Sequence, residues 1–339
     1  MATDTGRAKP TILVTGGAGY IGSHAVLELL DDGYPTVVID NLVTGFRWAV
    51  DPRAHFIQGA VEDDALVRKT IREHGVAGVL HFAGSTVAPE SVIDPLKYYR
   101  NNTAASRSLL ESVIGEGVRH FVFSSTAAVY GITGDGPVSE RDRVEPETPY
   151  GRSKLMTERM LVDVAAAHDE FNYCALRYFN VAGADALGRA GPSGIGATHL
   201  MKAAVEVAVG KREALTIHGD DFATPDGTGV RDYIHVSDLA RVHLLALERL
   251  LADPGKSHVL NCGYGRGHSV LEVVGAVSEI AGRPIPYIVG GRRPGDLGSV
   301  VADNQRIKSE FAWSPRYDEL AVIVADALRW EQELVRRRA

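Results

Sequence analysis

"TILVTGGAGYIGSH", residues 11–24, carries a short β-branched run straight into glycines at positions 16, 19 and 22 and then into a helix-like pattern. Where a strand ends in such a turn and opens a helix, backbone N–H groups approach a pyrophosphate. Glycine removes the Cβ that would hold the phosphate off, and the helix N-terminus favours an anion. The spacing is G-x-x-G-x-x-G, a close variant of the dinucleotide fingerprint. Glycines also serve ordinary turns, so the triplet needs a second signal. Asp40 supplies it by closing the next strand-like run, 18 residues after Gly22, where a carboxylate accepts hydrogen bonds from an adenosine ribose. A 2′-phosphate there would meet a negative charge, so the reading is NAD rather than NADP. The plainer alternative is a surface Asp after a strand.

Working outward, the chain from residue 11 to about 180 alternates short apolar runs with longer amphipathic ones. "TILVTG", "TVVIDN", "HFIQGA", "GVLHFAG", "HFVFSST" and "YCALRYFN" read as strands, and 21–32, 63–74, 95–115 and 150–167 as helices. That alternation predicts a parallel sheet covered on both faces, a doubly wound Rossmann-type α/β fold. After residue 180, Gly- and Pro-rich loops (185–196, 219–230, 290–298) interrupt short elements. We therefore read an NAD-binding domain over 10–180 and a smaller α/β substrate-binding domain over 181–335. "DYIHVSDLARVHLLALERL", residues 232–250, is expected to pack back on the first.

Composition narrows the partners. Of 339 residues, 45% are hydrophobic and 23% charged, with 36 basic against 43 acidic side chains for a net −7, ordinary for a globular protein. The only basic cluster is the terminal "RRRA", which suits a helix end, so nucleic acid is not expected as a partner. No apolar run approaches the roughly 18–20 residues that span a bilayer, so no membrane is expected. The polar N-terminus lacks a signal-peptide core. Cys174 and Cys262, both in strand-like settings, read as buried free thiols. Together these point to the cytoplasm. His81, His235 and His243 show no convergent metal spacing and read as structural, so no metal is expected.

"TPYGRSKLMTERM", residues 148–160, sets Tyr150 and Lys154 four apart, one helical turn, so both side chains share a face. Such a pair is common on solvated helices. Its chemical reading is that a lysine cation favours a phenolate and draws the tyrosine pKa down from about 10.

With the glycine loop, "FAG" (82–84), "FSST" (123–126), "YGRSK" and "LRYFN" in one order, the chain resembles the extended short-chain dehydrogenase/reductase family. Within it, "DNL", "ESVIDPLKYYRNN", "DGTGVRDYIHVSDLA" and "RRPGDL" look like the UDP-galactose 4-epimerases, over about residues 10–332. The resemblance implies that NAD takes a hydride from C4 of a UDP-hexose, that the 4-keto sugar turns, and that the hydride returns to its other face. By that resemblance Tyr150, Lys154 and Thr126 are catalytic: Tyr150 as base, Lys154 also on the nicotinamide ribose, Thr126 on the 4-oxygen. Lowering a phenol by about three units costs about 4 kcal/mol of environment, a load the resemblance shares between Lys154 and the nicotinamide cation. The resemblance adds Tyr20, Ile21, Asn41, Val61, Phe82, Ala83, Gly84 and Tyr178 to the cofactor set of Gly16, Gly19, Gly22 and Asp40.

For the UDP-sugar, the resemblance implies that Asn180, His199 and Leu200 contact the nucleotide. Arg231 and Arg293 clamp the diphosphate with forked guanidiniums, Asp296 binds the uridine ribose, and Tyr233 lies beside it. Val300 stands where some family members carry a tyrosine that closes the pocket beside C2, so it reads as a gate open to N-acetylhexosamines. The alternative is that it begins a strand and faces the core. Four positions depart from the pattern: Ala60 for an adenine-binding Asp, Thr86 for a lysine, His199 for an asparagine and His218 for an aromatic. A homodimer through helices 95–115 and 150–167 is also implied.

Rival readings are a nucleotide-sugar dehydratase or decarboxylase and a non-catalytic dinucleotide-binding protein. Dehydratases carry Asp-Glu after the threonine, whereas Thr126 precedes Ala127 and Ala128. Binding proteins lose Tyr or Lys, and this chain keeps both. A UDP-pentose specificity remains an alternative within the epimerases.

Overall fold

In a computed structural model, residues 8–132, 136–194, 199–293 and 296–338 are described. Most of the N-terminal stretch 1–10, parts of the 185–196 and 290–298 loops, and the last side chains of the basic tail lie outside them. The first unit runs β1 (Thr11–Thr15), α1 (Tyr20–Asp31), β2 (Thr36–Asp40), β3 (His55–Gln58), α2 (Asp64–His74) and β4 (Val76–His81). It continues through α3 (Ala88–Ile93), α4 (Pro95–Tyr98), a π-helical turn (Tyr99–Ala104), α5 (Ala105–Gly115), β5 (His120–Thr126), α6 (Pro149–Ala167) and β6 (Asn172–Tyr178).

The expected helix over 95–115 is thus present but widened at its middle, and α3 precedes it where no helix was expected. A π-turn spaces side chains differently from an α-turn, which a 3.6-residue pattern does not reveal.

The later chain gives β7 (Asn180–Ala182), α7 (Leu200–Ala208), β8 (Leu215–His218), β9 (Val230–His235) and α8 (Val236–Ala252). β10 (His258–Cys262), β11 (Gly267–Ser269), α9 (Val270–Ala281), β12 (Tyr287–Gly290), β13 (Ser299–Val300), α10 (Gln305–Phe311) and α11 (Leu320–Arg338) complete it.

Seven parallel strands form the main sheet in the order β10-β6-β5-β4-β1-β2-β3. Alternate residues face opposite sides. Leu13, Ile39, Val79, Phe121 and Phe123 meet α2, α5 and α6, while Val14, Leu80, Val122 and Leu176 meet α1 and α8. Both faces are therefore buried, as an all-parallel sheet requires. α8 and β10 return to this layer from beyond residue 180, so the sheet itself is not contiguous in sequence. A second core joins α7, α9 and α11 to β8 and β9, beside a sheet in which β9 pairs with β7, β11 and β13.

Strand order reverses direction between β1 and β4, and ligands of open α/β sheets bind outside the strand ends at such a switch point. The glycine loop follows β1, and Phe82–Gly84 follows β4.

Candidate active site

At the switch point the backbone is packed too closely for side chains. Gly16 has φ +73° and donates its N–H to the Ile39 carbonyl at 2.9 Å; a Cβ there would lie 2.6 Å from the Ala83 nitrogen. A Cβ on Gly22 would lie 2.2 Å from the Gly16 carbonyl oxygen, so only glycine lets α1 start this close to the loop. α1 begins at Tyr20 with Gly19 as a cap lacking any side-chain acceptor, and its first turn has no acidic residue. The first turn of this 12-residue helix thus adds no anion of its own to the positive helix end, which fits a dinucleotide pyrophosphate.

The other cofactor candidates surround this loop. Asp40 is buried at the end of β2 and accepts the Ala18 N–H at 2.9 Å and the Leu42 N–H at 2.8 Å. It therefore braces the loop through two backbone donors. Asn41 caps the next turn through Val43 N–H. Tyr20 donates its hydroxyl to the Gly183 carbonyl at 2.7 Å, and Ile21 packs into the core beneath. Val61 is buried. Phe82 donates its N–H to the Thr15 carbonyl, and its ring lies tilted against His243, ring centres 4.7 Å apart. Beside Gly84, at φ +153°, Asn102 reaches back from the π-turn, and Lys154 lies nearby.

α6 starts where it does because Thr148 caps the Gly151 N–H at 3.2 Å and Pro149 occupies the first turn. Tyr150 and Lys154 then project toward the ends of β5 and β6. Lys154 is 3% exposed, donates to the Ser124 carbonyl at 2.9 Å and sits 5.0 Å over the Phe123 ring. Burial pulls its pKa from 10.5 down to about 8, a penalty on the charged form on the order of 3 kcal/mol. Thr126 ends β5; its hydroxyl accepts the Ala128 N–H at 3.1 Å and hydrogen-bonds Tyr150. Tyr178 pairs with Ser124 through their hydroxyls.

Packing within the chain works against ionisation of the Tyr150 phenol. Part of the Tyr150 surface is open, yet the protein packed around the phenol raises its pKa above 10, and only the Thr126 hydrogen bond opposes this. Lys154 directs its ammonium to the Ser124 carbonyl, and burial lowers its pKa without removing its charge at neutral pH.

Arg231, Tyr233, Asn180, Val300 and Asp296 lie on or beside β9. Arg231 pairs across the strand with Val300, donates to its neighbour's carbonyl, and lies 3.7 Å from the Asp296 carboxylate. Asp296 in turn donates its N–H to the Arg293 carbonyl, and Arg293 is exposed. Asn180 is in register with buried Tyr233. Exposed His199 directly precedes α7, whose first residue is Leu200, and makes no side-chain capping bond. Val300 is partly buried in β13 and packs on the cluster of Val129, Leu155 and Phe179; both readings of it, strand start and pocket wall, are compatible with that position. Ala60 is partly buried, Thr86 is exposed, and His218 is in main-chain register with Gly290.

Sequence reasoning passed over Asn102, Ser153 and Ser124. The Asn102 amide bonds Ser85 N–H at 2.7 Å, the Ser85 carbonyl at 3.0 Å and Ser153 Oγ at 2.9 Å, joining the loop after β4 to α6. For Asn102 and Ser153, small polar residues inside buried helix faces were the available signal, and for Ser124 a buried serine near the end of a strand. A separate cleft of about 480 Å³ lies beside α1 and the start of α8. There Arg189 is held by Asp31 and Asp185, and Arg241 by Glu28.

The chain belongs to the NAD dependent epimerase/dehydratase family, whose pattern matches residues 12–263. Its particular likeness within that family is to UDP-glucose 4-epimerases. It is 50% identical to the UDP-glucose 4-epimerase of Azospirillum brasilense over 98% of this chain and 95% of the relative. The UDP-glucose 4-epimerase of Brucella ovis, solved in complex with NAD, superposes with a TM-score of 0.91 at 41% identity, covering 94% and 98% of the two chains. That of Stenotrophomonas maltophila, solved with NAD and formylated UDP-arabinopyranose, gives 0.94 at 38% identity, covering 97% and 99%. Among the described residues no helix is long and apolar enough to cross a membrane, and no His, Cys, Asp and Glu group could hold a metal ion.

Proposed function

We propose that the protein is an NAD-dependent isomerase that inverts C4 of a UDP-hexose, interconverting UDP-glucose and UDP-galactose. The observation that carries this is the convergence of Tyr150, Lys154 and Thr126 at the switch point, beside a loop that only glycines can form. When bound, NAD supplies hydride acceptance at C4 and its return. Gly16, Gly19, Gly22 and the start of α1 hold its pyrophosphate, and Asp40 its adenosine ribose. Tyr150 Oη removes the 4-hydroxyl proton and later restores it, Thr126 orients that transfer, and Lys154 holds the nicotinamide ribose. The family also contains dehydratases, but Ala127 and Ala128 stand where elimination needs an acid and a base.

Arg231 and Arg293 take the diphosphate, and Asp296 the uridine ribose; Arg231 and Asp296 already lie together. Asn180, His199, Leu200 and Tyr233 line the nucleotide side. Val300, lacking an aromatic ring, leaves room for a 2-acetamido group, so UDP-N-acetylglucosamine is a second substrate. We further read 10–180 and 181–335 as cofactor-holding and nucleotide-holding units, with α8 and β10 returned to the first. The exposed apolar side chains Val92, Ile93 and Leu96 near α4, and Met156 and Val162 on α6, support a homodimer across these helices, and the composition supports a cytoplasmic enzyme. Incubation with a panel of UDP-sugars, followed by NMR, tests the reading. Formation of UDP-galactose from UDP-glucose without net NADH release is expected; elimination products or inert sugars would refute it.

A further inference from the structure

A buried polar chain lies directly behind the reacting groups without touching them. Glu158 is one turn beyond Lys154 on the same face of α6 and is 4% exposed. Its carboxylate accepts the Ser125 hydroxyl, and the Arg177 fork grips it with Nε at 3.0 Å and Nη2 at 2.6 Å. Arg177 Nη1 donates to the Tyr130 hydroxyl at 3.1 Å, which donates to Asn261 Oδ1 at 2.5 Å, and the Asn261 amide donates to the Val138 carbonyl at 2.7 Å.

The placement of these partners is specific. Ser125 and Arg177 are in register on neighbouring strands, as are Thr126 and Tyr178 one residue further on. Because strand side chains alternate, anchoring Ser125 and Arg177 on the α6 side turns Thr126 and Tyr178 to the other. One carboxylate thus ties the helix that carries Tyr150 and Lys154 to both strand ends at once. Apolar residues of similar volume would fill the same space without the cost of burying two charges. What the ion pair adds is direction: a bidentate fork accepts one geometry.

We infer that Glu158 and Arg177 are positioning residues that set the distance from Tyr150 to Thr126, with Ser125 as the link to the strand. This rests on the proposed roles of Tyr150 and Thr126.

The test compares wild type, Tyr150→Phe, Ser125→Ala and the double variant Glu158→Met/Arg177→Met, measuring kcat, KM for UDP-glucose, bound NAD and Tm. The double variant keeps side-chain volume while removing both charges together. It is expected to fold, retain NAD and hold KM within about twofold, while kcat falls at least ~10-fold, since small misplacements of reacting groups are costly. Ser125→Ala, which removes one bond and no charge, should lower kcat about three- to tenfold at unchanged KM. A folded double variant with kcat within twofold of wild type would overturn the inference, as would losses that track NAD content or KM instead of kcat. If the double variant fails to fold, wild-type kcat in Ser125→Ala overturns it. Wild-type turnover in Tyr150→Phe would instead remove the assignment on which the inference rests.

Discussion

The two ends of the site are built from different materials. On the cofactor side the backbone does the shaping: Gly16 and Gly22 leave no space for a Cβ, and Asp40 spends both carboxylate oxygens on loop N–H groups. On the nucleotide side the shaping falls to long side chains, with Arg231 steadied by β9 and Asp296, and Arg293 exposed on a loop. A backbone cradle is costly to alter and tolerates few sequences. A side-chain grip can be retuned one residue at a time.

Substitutions on each side should therefore fail differently. The largest loss is expected where the two sides meet. Tyr150→Phe should cut kcat at least ~10²-fold, about 2.7 kcal/mol of transition-state stabilisation, with NAD and UDP still bound; steady-state kinetics beside a measurement of bound NAD checks this. Gly16→Ala should come next, because a left-handed φ costs an L-residue roughly 1–2 kcal/mol before any clash and its Cβ meets the Ala83 backbone. A lower Tm and poor NAD retention would bear this out, whereas a Tm within a degree or two of wild type would break the comparison. Asp40→Ala should weaken NAD binding about tenfold and narrow its margin over NADP, read by titration with both dinucleotides. It should also cost some stability, since two loop N–H groups lose their acceptor. The mildest and most selective effect belongs to Val300→Tyr. It should abolish most turnover of UDP-N-acetylglucosamine while leaving UDP-glucose within about tenfold; equal losses on both sugars would move the gate elsewhere.

The same contrast decides what could be read from the chain alone. β1, the glycine loop and Asp40 were legible because glycine spacing and β-branched runs follow from backbone sterics, which act locally. The six strands and four helices named over 11–180 all lie where expected, although the π-turn at 99–104 and α3 were missed. Arg231, Asp296 and Val300 are brought together by the pairing of β9 with β13 across some 70 residues, and no periodicity in a two-residue strand announces that. Their roles came from resemblance, and so did those of Asn180 and Arg293. The Tyr150–Lys154 pair was correctly placed on one helical face, but its electrostatics were not legible. Spacing says that two groups are near, while burial shifts both, raising the phenol and lowering the amine.

That last point defines the measurement that bears most directly on the mechanism. Burial opposes the Tyr150 phenolate, and a nearby cation lowers a phenol pKa, so the charge carried by the oxidised but not the reduced cofactor should shift this group. The phenolate can be titrated by ultraviolet difference absorbance between wild type and Tyr150→Phe, once with NAD+ bound and once with NADH bound. We predict an apparent Tyr150 pKa below 10 with NAD+ and above 10 with NADH. An equally low value in both states would show that Lys154 suffices and would contradict a cofactor-borne charge as the source of the phenolate.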